Sequence, residues 1–432
     1  MDKNNKSFCA VPFVSMMVNT DTTIRYCCMV KGSFNKLKKE DNKSFYTCKD
    51  NFVHDAWNSK DMRDIRKSMI SGDKIEGCSV CYMQEENGRT SNRQHSINEW
   101  KWRLGDANLN DRVQQAIKND GKLDDELVYL DLRLGNLCNL KCRMCNPWNS
   151  SQIFKEHIEI AENNTAYTDV WKKTFGKFPT NVMDDQQWFD HDIMWDQVIS
   201  LIPHLKKVYM TGGEPTLIKN NFKFMKSCIE KGRKDIVLFF NTNCTNINKN
   251  FLELISQFDT VNINASLDGV GIVNEYIRAP SDWTQISSNI EKLAQMPNVH
   301  LGITPTVQVY NVFDLVNIIK WVEDLNNKFN KNSFIDFLVN THPHHLNVNI
   351  LPNELKKEAL DELVTYRDNS MQVHNHMTMN SLNGIIGLLQ QHRTENWKEE
   401  VERFRTFTVS LDQHRNQTIK DLDPRIVRLM HD

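Results

Sequence analysis

The sequence predicts an α/β protein built on a partial (β/α)6 barrel of the TIM type, with a small cysteine-bearing N-terminal domain before it and a helical C-terminal tail after it. Three observations carry this. From about residue 127, short runs rich in branched and aromatic residues alternate with helical patterns. Six of the eleven cysteines lie before residue 100, in short strand-like pieces around one helical stretch near 55–70. The last sixty residues carry apolar positions at helical spacing.

Taken in order, the strand candidates are Val128 to Leu134, Lys207 to Thr211, Asp235 to Asn241, Thr260 to Leu267, His300 to Val309 and Phe334 to Asn340. Helical patterns fill 149–162, 217–231, 248–257, 284–296, 312–327 and 353–369, with apolar residues three or four apart and charges opposite. Six βα units in series make an incomplete barrel of parallel strands. Region 164–193 breaks the rhythm: Asn163-Asn164, Pro179 and Asp184-Asp185 punctuate Trp171, Phe175 and Trp188, which reads as an insertion. In the tail, Trp397, Val401, Phe404 and Phe407 form a stripe that reads as a packing face. The domains expected are therefore 1–100, 125–345 with the insertion, and 346–432.

Fifty-three basic residues stand against 55 acidic ones, so no field argues for nucleic acid or for an acidic partner. No apolar run approaches the roughly 18 residues of a spanning helix, and Met1-Asp2-Lys3-Asn4-Asn5 is too polar to open a signal peptide. A cytoplasmic location is expected. Eleven cysteines in such a chain point to metal binding rather than to a disulfide framework.

The most informative run is Cys138-Asn-Leu-Lys-Cys142-Arg-Met-Cys145, directly after the first barrel strand. Zinc usually takes four closed ligands, and no fourth cysteine or histidine lies nearby in sequence. Three thiolates around a cubane iron–sulfur cluster leave one iron open to chemistry. In a parallel barrel the active site lies at the C-terminal ends of the strands, where this loop sits. One βα unit later the second strand ends in Thr211-Gly212-Gly213-Glu214-Pro215. Its glycines let backbone approach a ligand closely, and a carboxylate beside them accepts hydrogen bonds from an ammonium group.

Together with Ser266-Leu267-Asp268-Gly269, these motifs resemble the radical S-adenosylmethionine (SAM) superfamily, in that family's order and over roughly residues 125–345. The resemblance implies that Cys138, Cys142 and Cys145 ligate a [4Fe–4S] cluster whose fourth iron is chelated by the amino and carboxylate groups of SAM. Gly212, Gly213 and Glu214 would line the amino group. Asn243 and Ser266 resemble positions that contact ribose or carboxylate, and Arg278 suits the carboxylate by charge and bidentate geometry. Val307 to Asn311 matches the place where adenine packs. Met144 departs from the pattern, since many members carry an aromatic residue there; its polarisable sulfur can still pack on a ring.

Cys9, Cys27, Cys28, Cys78 and Cys81 form the second group. With Phe8-Cys9-Ala10-Val11-Pro12-Phe13, Ile24-Arg25-Tyr26-Cys27 and Ala56-Trp57-Asn58-Ser59, it resembles the auxiliary-cluster module called SPASM or twitch, which normally follows the barrel and here precedes it. The resemblance implies an auxiliary [4Fe–4S] cluster on Cys9, Cys27, Cys78 and Cys81, with Cys28 spare. Four thiolates also suit tetrahedral zinc, and that alternative stays open.

Cys48, Cys228 and Cys244 lie outside both groups and read as buried small hydrophobes, with Cys244 beside Asn243. His342-Pro343-His344-His345 follows the sixth strand and reads as loop or substrate contact. The activity implied is reductive cleavage of SAM to a 5′-deoxyadenosyl radical that abstracts hydrogen from a substrate, expected to be a peptide or protein. A small metabolite or sugar is the competing substrate, and a non-catalytic iron–sulfur or zinc protein the competing class. An electron donor such as a flavodoxin or ferredoxin is the expected partner.

Overall fold

The computed structural model describes residues 5–29, 36–86, 90–176, 188–370 and 375–431. The chain divides into two compact units: Met1–Gly135 with Asp185–Phe239 and Glu253–Thr260, and Asn136–Asp184 with Phe240–Leu252 and Val261–Asp432.

The first unit is built on β1 (Ser15–Val18), β2 (Ile24–Arg25), β3 (Tyr129–Leu134), β4 (Lys207–Gly212) and the start of β5 (Val237–Thr242), in the order β2-β1-β3-β4-β5. β1 pairs parallel with β3, from Ser15↔Tyr129 to Val18↔Leu132, and antiparallel with β2. β3 pairs parallel with β4, from Tyr129↔Lys207 to Leu134↔Gly212. The parallel N-terminal strand is a departure from the six strands expected. Its four residues, Ser15-Met16-Met17-Val18, are all buried, so they carry no alternation by which a half-buried strand is recognised. One face packs Leu130, Leu132, Leu134, Val208 and Met210, none of them exposed.

Helices Lys60–Ser71, Ser79–Glu86, Asn92–Leu104 and Asp106–Lys118 complete the N-terminal part, far more helix than the single stretch expected. Their ends are written in the sequence. Ser59 accepts from Met62 N and Gly72 closes the first helix at φ 88°; Ser91 and Gln94 form a reciprocal capping box on the third. The buried Arg66 ties this part together, donating from Nε to Pro12 O (2.8 Å), from Nη1 to Gly121 O (3.0 Å) and from Nη2 to Trp57 O (2.8 Å).

The second unit carries the end of β5, then β6 (Val261–Ala265), β7 (Val299–Ile303), β8 (Thr306–Val307), β9 (Phe334–Ile335) and β10 (Leu338–Val339). β6 pairs parallel with β7, β7 with β9, and β8 with β10. The fifth and sixth strands expected are thus each broken in two. In the fifth the break falls at Thr304-Pro305, where proline has no N–H to offer a ladder. The helices Ser151–Asn163, Lys249–Ile255, Trp283–Gln295, Leu315–Phe329 and Asn353–Ser370 follow the predicted periodicity, as does Lys219–Glu230 in the first unit.

The described part of the insertion is helical, Thr165–Phe175, with a 3-10 turn at Trp188–Asp190; Pro179 and Asp184-Asp185 lie outside the described residues. In the tail, helices His376–Leu389 and Trp397–Arg415 form, and Val401, Phe404 and Phe407 are buried. Trp397 is half-buried, with the Arg393 guanidinium 3.3 Å from its ring centre.

Candidate functional site

The three-cysteine segment has no regular secondary structure, so its backbone must be satisfied piece by piece. Lys141 N donates to Ala279 O (2.5 Å) and Arg143 N to Ile277 O (2.9 Å), either side of Cys142. Ser150 Oγ donates to Leu140 O (2.7 Å) and Asn136 Nδ2 to Pro147 O (2.9 Å), closing the loop on itself. All three thiols are half-buried. Burial pushes the Cys145 thiol up to about 12 and the Cys142 thiol up as well, the latter opposed by the Arg278 cation.

Arg278, 7 % exposed, turns to this loop: its Nη1 lies 3.9 Å from Cys142 Sγ and its Nε 2.7 Å from Asp268 Oδ2. The latter is a contact of opposite charges rather than an aligned hydrogen bond, since neither atom has a hydrogen-bond partner of good geometry. Asp268 belongs to the Ser266-Leu267-Asp268-Gly269 motif after the fourth barrel strand. It is fully buried, its Oδ1 accepts from Thr306 N (2.7 Å), and its own N–H donates to Asn274 Oδ1 (3.0 Å). Part of the Arg278 fork is thus already engaged by a carboxylate of the chain, and what it offers outward is positive charge beside a thiol.

Asn243 is joined to the loop. Its Nδ2 donates to Asn139 Oδ1 (3.0 Å), while Asn139 Nδ2 donates to Thr245 Oγ1 (2.8 Å). Ser266 is half-buried and held by its N–H to Thr242 O (2.8 Å). Val307 is entirely buried in β8, and the following turn faces inward: Asn311 Nδ2 donates to Asp268 O (2.9 Å) and Thr306 O (3.0 Å). Cys244 is buried at φ 59°, as Cys48 and Cys228 are buried elsewhere.

In the first unit, Gly212 ends β4 at φ 123°. A Cβ there would stand 2.7 Å from Leu134 N and 3.0 Å from Leu134 O, so the neighbouring strand itself demands the bare Cα. The glycine at this position is accounted for by sheet packing, whatever binds beyond it. Glu214 is 1 % exposed, and its Oε1 accepts from Thr216 N (3.1 Å) and Thr216 Oγ1 (2.7 Å), capping the 3-10 turn Pro215–Leu217.

The N-terminal thiols are brought together within the first unit. Cys9, Cys27, Cys78 and Cys81 line one narrow cleft, walled also by Tyr26 and Arg93. Cys78 ends a 3-10 turn and Cys81 lies in the first turn of the next helix, a spacing of three that puts both on one side. Met29 N donates to Cys27 Sγ (3.4 Å), and Cys9 Sγ lies 3.5 Å from Ser96 Oγ. Burial pushes Cys9 up to about 11 and Cys78 up to about 12. Cys28, together with Cys27, lines a neighbouring cavity of about 210 Å³, where Trp100, Tyr129, Asp131, Lys207, Tyr209 and Phe239 stand on the helix Asn92–Leu104 and on β3 to β5.

Among the described residues no three His, Cys, Asp or Glu side chains converge on a point that would hold a single metal ion. A cubane makes a different demand, because each thiolate binds a different iron around a volume. Both groups of thiols meet the chemical part of that demand: cysteine sulfur, sheltered, and in the loop's case accompanied by a cation.

The histidines after the sixth strand diverge. His342 and His344 are exposed, while His345 is buried with its ring 4.7 Å from Phe407. His157 is also buried, hydrogen-bonded to Tyr167 Oη and packed 4.0 Å from the Trp171 ring. Burial holds both His157 and His345 down at about 3. Below the ordinary histidine range the unfolded chain therefore binds protons that the folded chain refuses. Stability should fall as pH drops below about 6.5, by about 1.4 kcal/mol per unit per histidine, levelling near the folded value. Urea midpoints at pH 7.5 and 5.5 check this: His345→Phe should narrow the difference between them, and an unchanged difference would contradict it.

Residues 132–322 match the Radical SAM superfamily. No curated protein sequence matches the chain. Solved structures with a similar fold include Streptococcus suis SuiB bound to precursor peptide SuiA, at 13% identity and a TM-score of 0.35, with 72% of this chain and 64% of that chain covered. SuiB bound to S-adenosylmethionine gives 12% and 0.36 over 72% and 64%; TYW1 with a lysine-pyruvate adduct bound gives 15% and 0.28 over 55% and 70%. The match thus spans about 64% of the length of SuiB. No helix among the described residues is long and apolar enough to cross a membrane. The segment 132–322, which holds the three-cysteine loop after β3 and the Gly-Gly-Glu-Pro turn after β4, is thus the part of the chain that matches the radical SAM superfamily.

Proposed function

We propose that this chain cleaves SAM reductively and uses the resulting radical to abstract hydrogen from a peptide or protein substrate. The observation that carries the reading is the loop itself: three half-buried thiols of one short segment, with the Arg278 cation 3.9 Å from Cys142 Sγ, inside the matched residues. Cys138, Cys142 and Cys145 would hold a [4Fe–4S] cluster, and Gly212, Gly213, Glu214, Asn243, Ser266, Arg278 and Val307 the bound SAM. When bound, these groups supply an electron and a 5′-deoxyadenosyl radical. The chain's own part is to shelter and to orient. Buried walls around Cys142 and Cys145 keep water from the reacting centre. Arg278, fixed by Asp268, sets a positive charge beside the thiolates, which favours the more negative reduced state.

For the N-terminal group we propose an auxiliary [4Fe–4S] cluster on Cys9, Cys27, Cys78 and Cys81. Four thiols lining a volume suit a polynuclear cluster better than a zinc ion, which needs them to converge. The neighbouring cavity supports a substrate of limited size. Its roughly 210 Å³ falls below the usual range for ligand sites, which starts at about 300 Å³, and suits one small side chain or polar fragment. Its rings with one acid and one base suit a dipolar group. The same size admits a small polar metabolite, which is the second reading. A flavodoxin or ferredoxin in the cytoplasm would supply the electron.

Anaerobic reconstitution with iron and sulfide, then reduction in the presence of SAM, tests the reading. 5′-Deoxyadenosine should form. Its absence from a preparation holding its full iron would reject the enzyme in favour of a binding protein.

A further inference from the structure

We infer that Asp412 and Arg415, at the end of the helix Trp397–Arg415, are positioning residues for the three-cysteine loop, acting through Arg143 and through the carbonyl of Lys141. The inference rests on the proposal that this loop holds the cluster.

Arg143 lies between the second and third cysteines, and its side chain is wholly buried. Its Nη2 donates to Asp412 Oδ1 (2.6 Å) and to Gln417 Oε1 (3.1 Å), and its Nε to Tyr276 O (3.0 Å). The guanidinium lies 3.7 Å from the Tyr276 ring centre. Asp412 is held in turn: Oδ1 accepts from Tyr276 Oη (2.8 Å) and Oδ2 from Ile419 N (2.8 Å). Arg415 takes the other side of Cys142. Its Nη2 donates to Lys141 O (2.6 Å) and to Glu156 Oε2 (2.6 Å), and Lys141 Nζ pairs with Glu156 Oε1 at 2.9 Å.

Both neighbours of Cys142 are therefore gripped by the same turn of one distant helix. A merely space-filling contact would need apolar volume, and burying two arginines costs more than burying hydrophobes of the same size. What a planar fork adds is direction, fixed by several donors at once. Direction matters here because the loop lacks a ladder that would set where its thiols point. The C-terminal tail, which its apolar stripe marks as packing, thus also sets ligand geometry.

The test uses the reconstituted full-length protein and two readouts besides turnover. These are the rate at which a chelator removes loop iron and the change SAM makes in the paramagnetic resonance spectrum of the reduced cluster. Auxiliary iron is subtracted using the protein with all three loop cysteines changed to alanine. Asp412→Asn and Arg415→Gln should each lose loop iron at least fivefold faster and show a weakened SAM effect. Glu402→Gln, on an exposed face of the same helix, should match wild type. The double variant Arg143→Met/Asp412→Leu removes the buried charges together. It should recover the thermal midpoint while still losing iron fast, because packing is restored and direction is not. Wild-type iron retention and spectrum in that double variant, or in both single variants, would overturn the inference. Should Asp412→Asn fail to fold, Arg415→Gln leaves the Arg143–Asp412 pair intact and decides alone. A wild-type protein that builds no loop cluster would instead defeat the ligand proposal, and this one with it.

Discussion

Changing Cys138, Cys142 and Cys145 together to alanine should abolish 5′-deoxyadenosine formation while leaving about four irons per chain, the content of one remaining cubane. The first outcome follows because these thiols are the proposed ligands of the iron at which SAM is chelated. The second follows because the N-terminal thiols lie in the other compact unit and line a cleft of their own. The fold should survive the change. The loop is held by Lys141 N to Ala279 O, by Arg143 N to Ile277 O and by Ser150 Oγ to Leu140 O, none of which uses a thiol. Three sulfur atoms are a small loss of buried surface beside that frame. Iron analysis and circular dichroism on the anaerobically reconstituted variant check the expectation. Loss of all iron with native dichroism would show that the N-terminal thiols hold no cluster by themselves, and undiminished iron would remove the loop from the ligand set.

The adjacent pair Cys27-Cys28 should split cleanly. Cys27→Ala is expected to lose the auxiliary iron, about four atoms per chain if the cluster is a cubane, whereas Cys28→Ala should keep it. Position decides this: Cys27 lines the cleft with Cys9, Cys78 and Cys81 and accepts the Met29 N–H, whereas Cys28 opens on the neighbouring cavity alone. The Met29 N–H donated to Cys27 sulfur favours the charged thiolate, against the neighbouring Cys28 and burial, which push the Cys27 thiol up. The measurement is iron and acid-labile sulfide on each variant. Sulfide also separates the competing chemistry, since a zinc site holds none. Equal iron in both variants would take Cys27 out of the ligand set, and loss in both would mean that Cys28 is needed as well.

How far the chain could be read in advance differs between its parts. The six barrel strands and their helices were legible because the strands are rich in branched and aromatic residues and the amphipathic helices repeat every three or four residues. Ser15 to Val18 escaped because four buried residues make no pattern. The split of the fifth strand escaped because a run of branched residues looks continuous until Pro305 removes one ladder donor. At the site, the cysteine spacing was visible since three thiols in eight residues have few other uses. Asp268 stood in a recognised motif, yet its work for Arg278 required knowing that β6 ends beside the loop. Gly212 was read as making room for a ligand, and the first thing it makes room for is the backbone of Leu134.

By itself the sequence determined the fold class, the two sets of thiols and the resemblance to the radical SAM superfamily. Those are properties of local pattern and spacing, carried by residues close together along the chain. Only the tertiary structure decided which thiols share a cleft, what Arg278 faces, and that Asp412 and Arg415 reach back about 270 residues to either side of Cys142. A charge's partner and a thiol's direction depend on which distant elements come within hydrogen-bond reach, and no spacing along the chain encodes that distance.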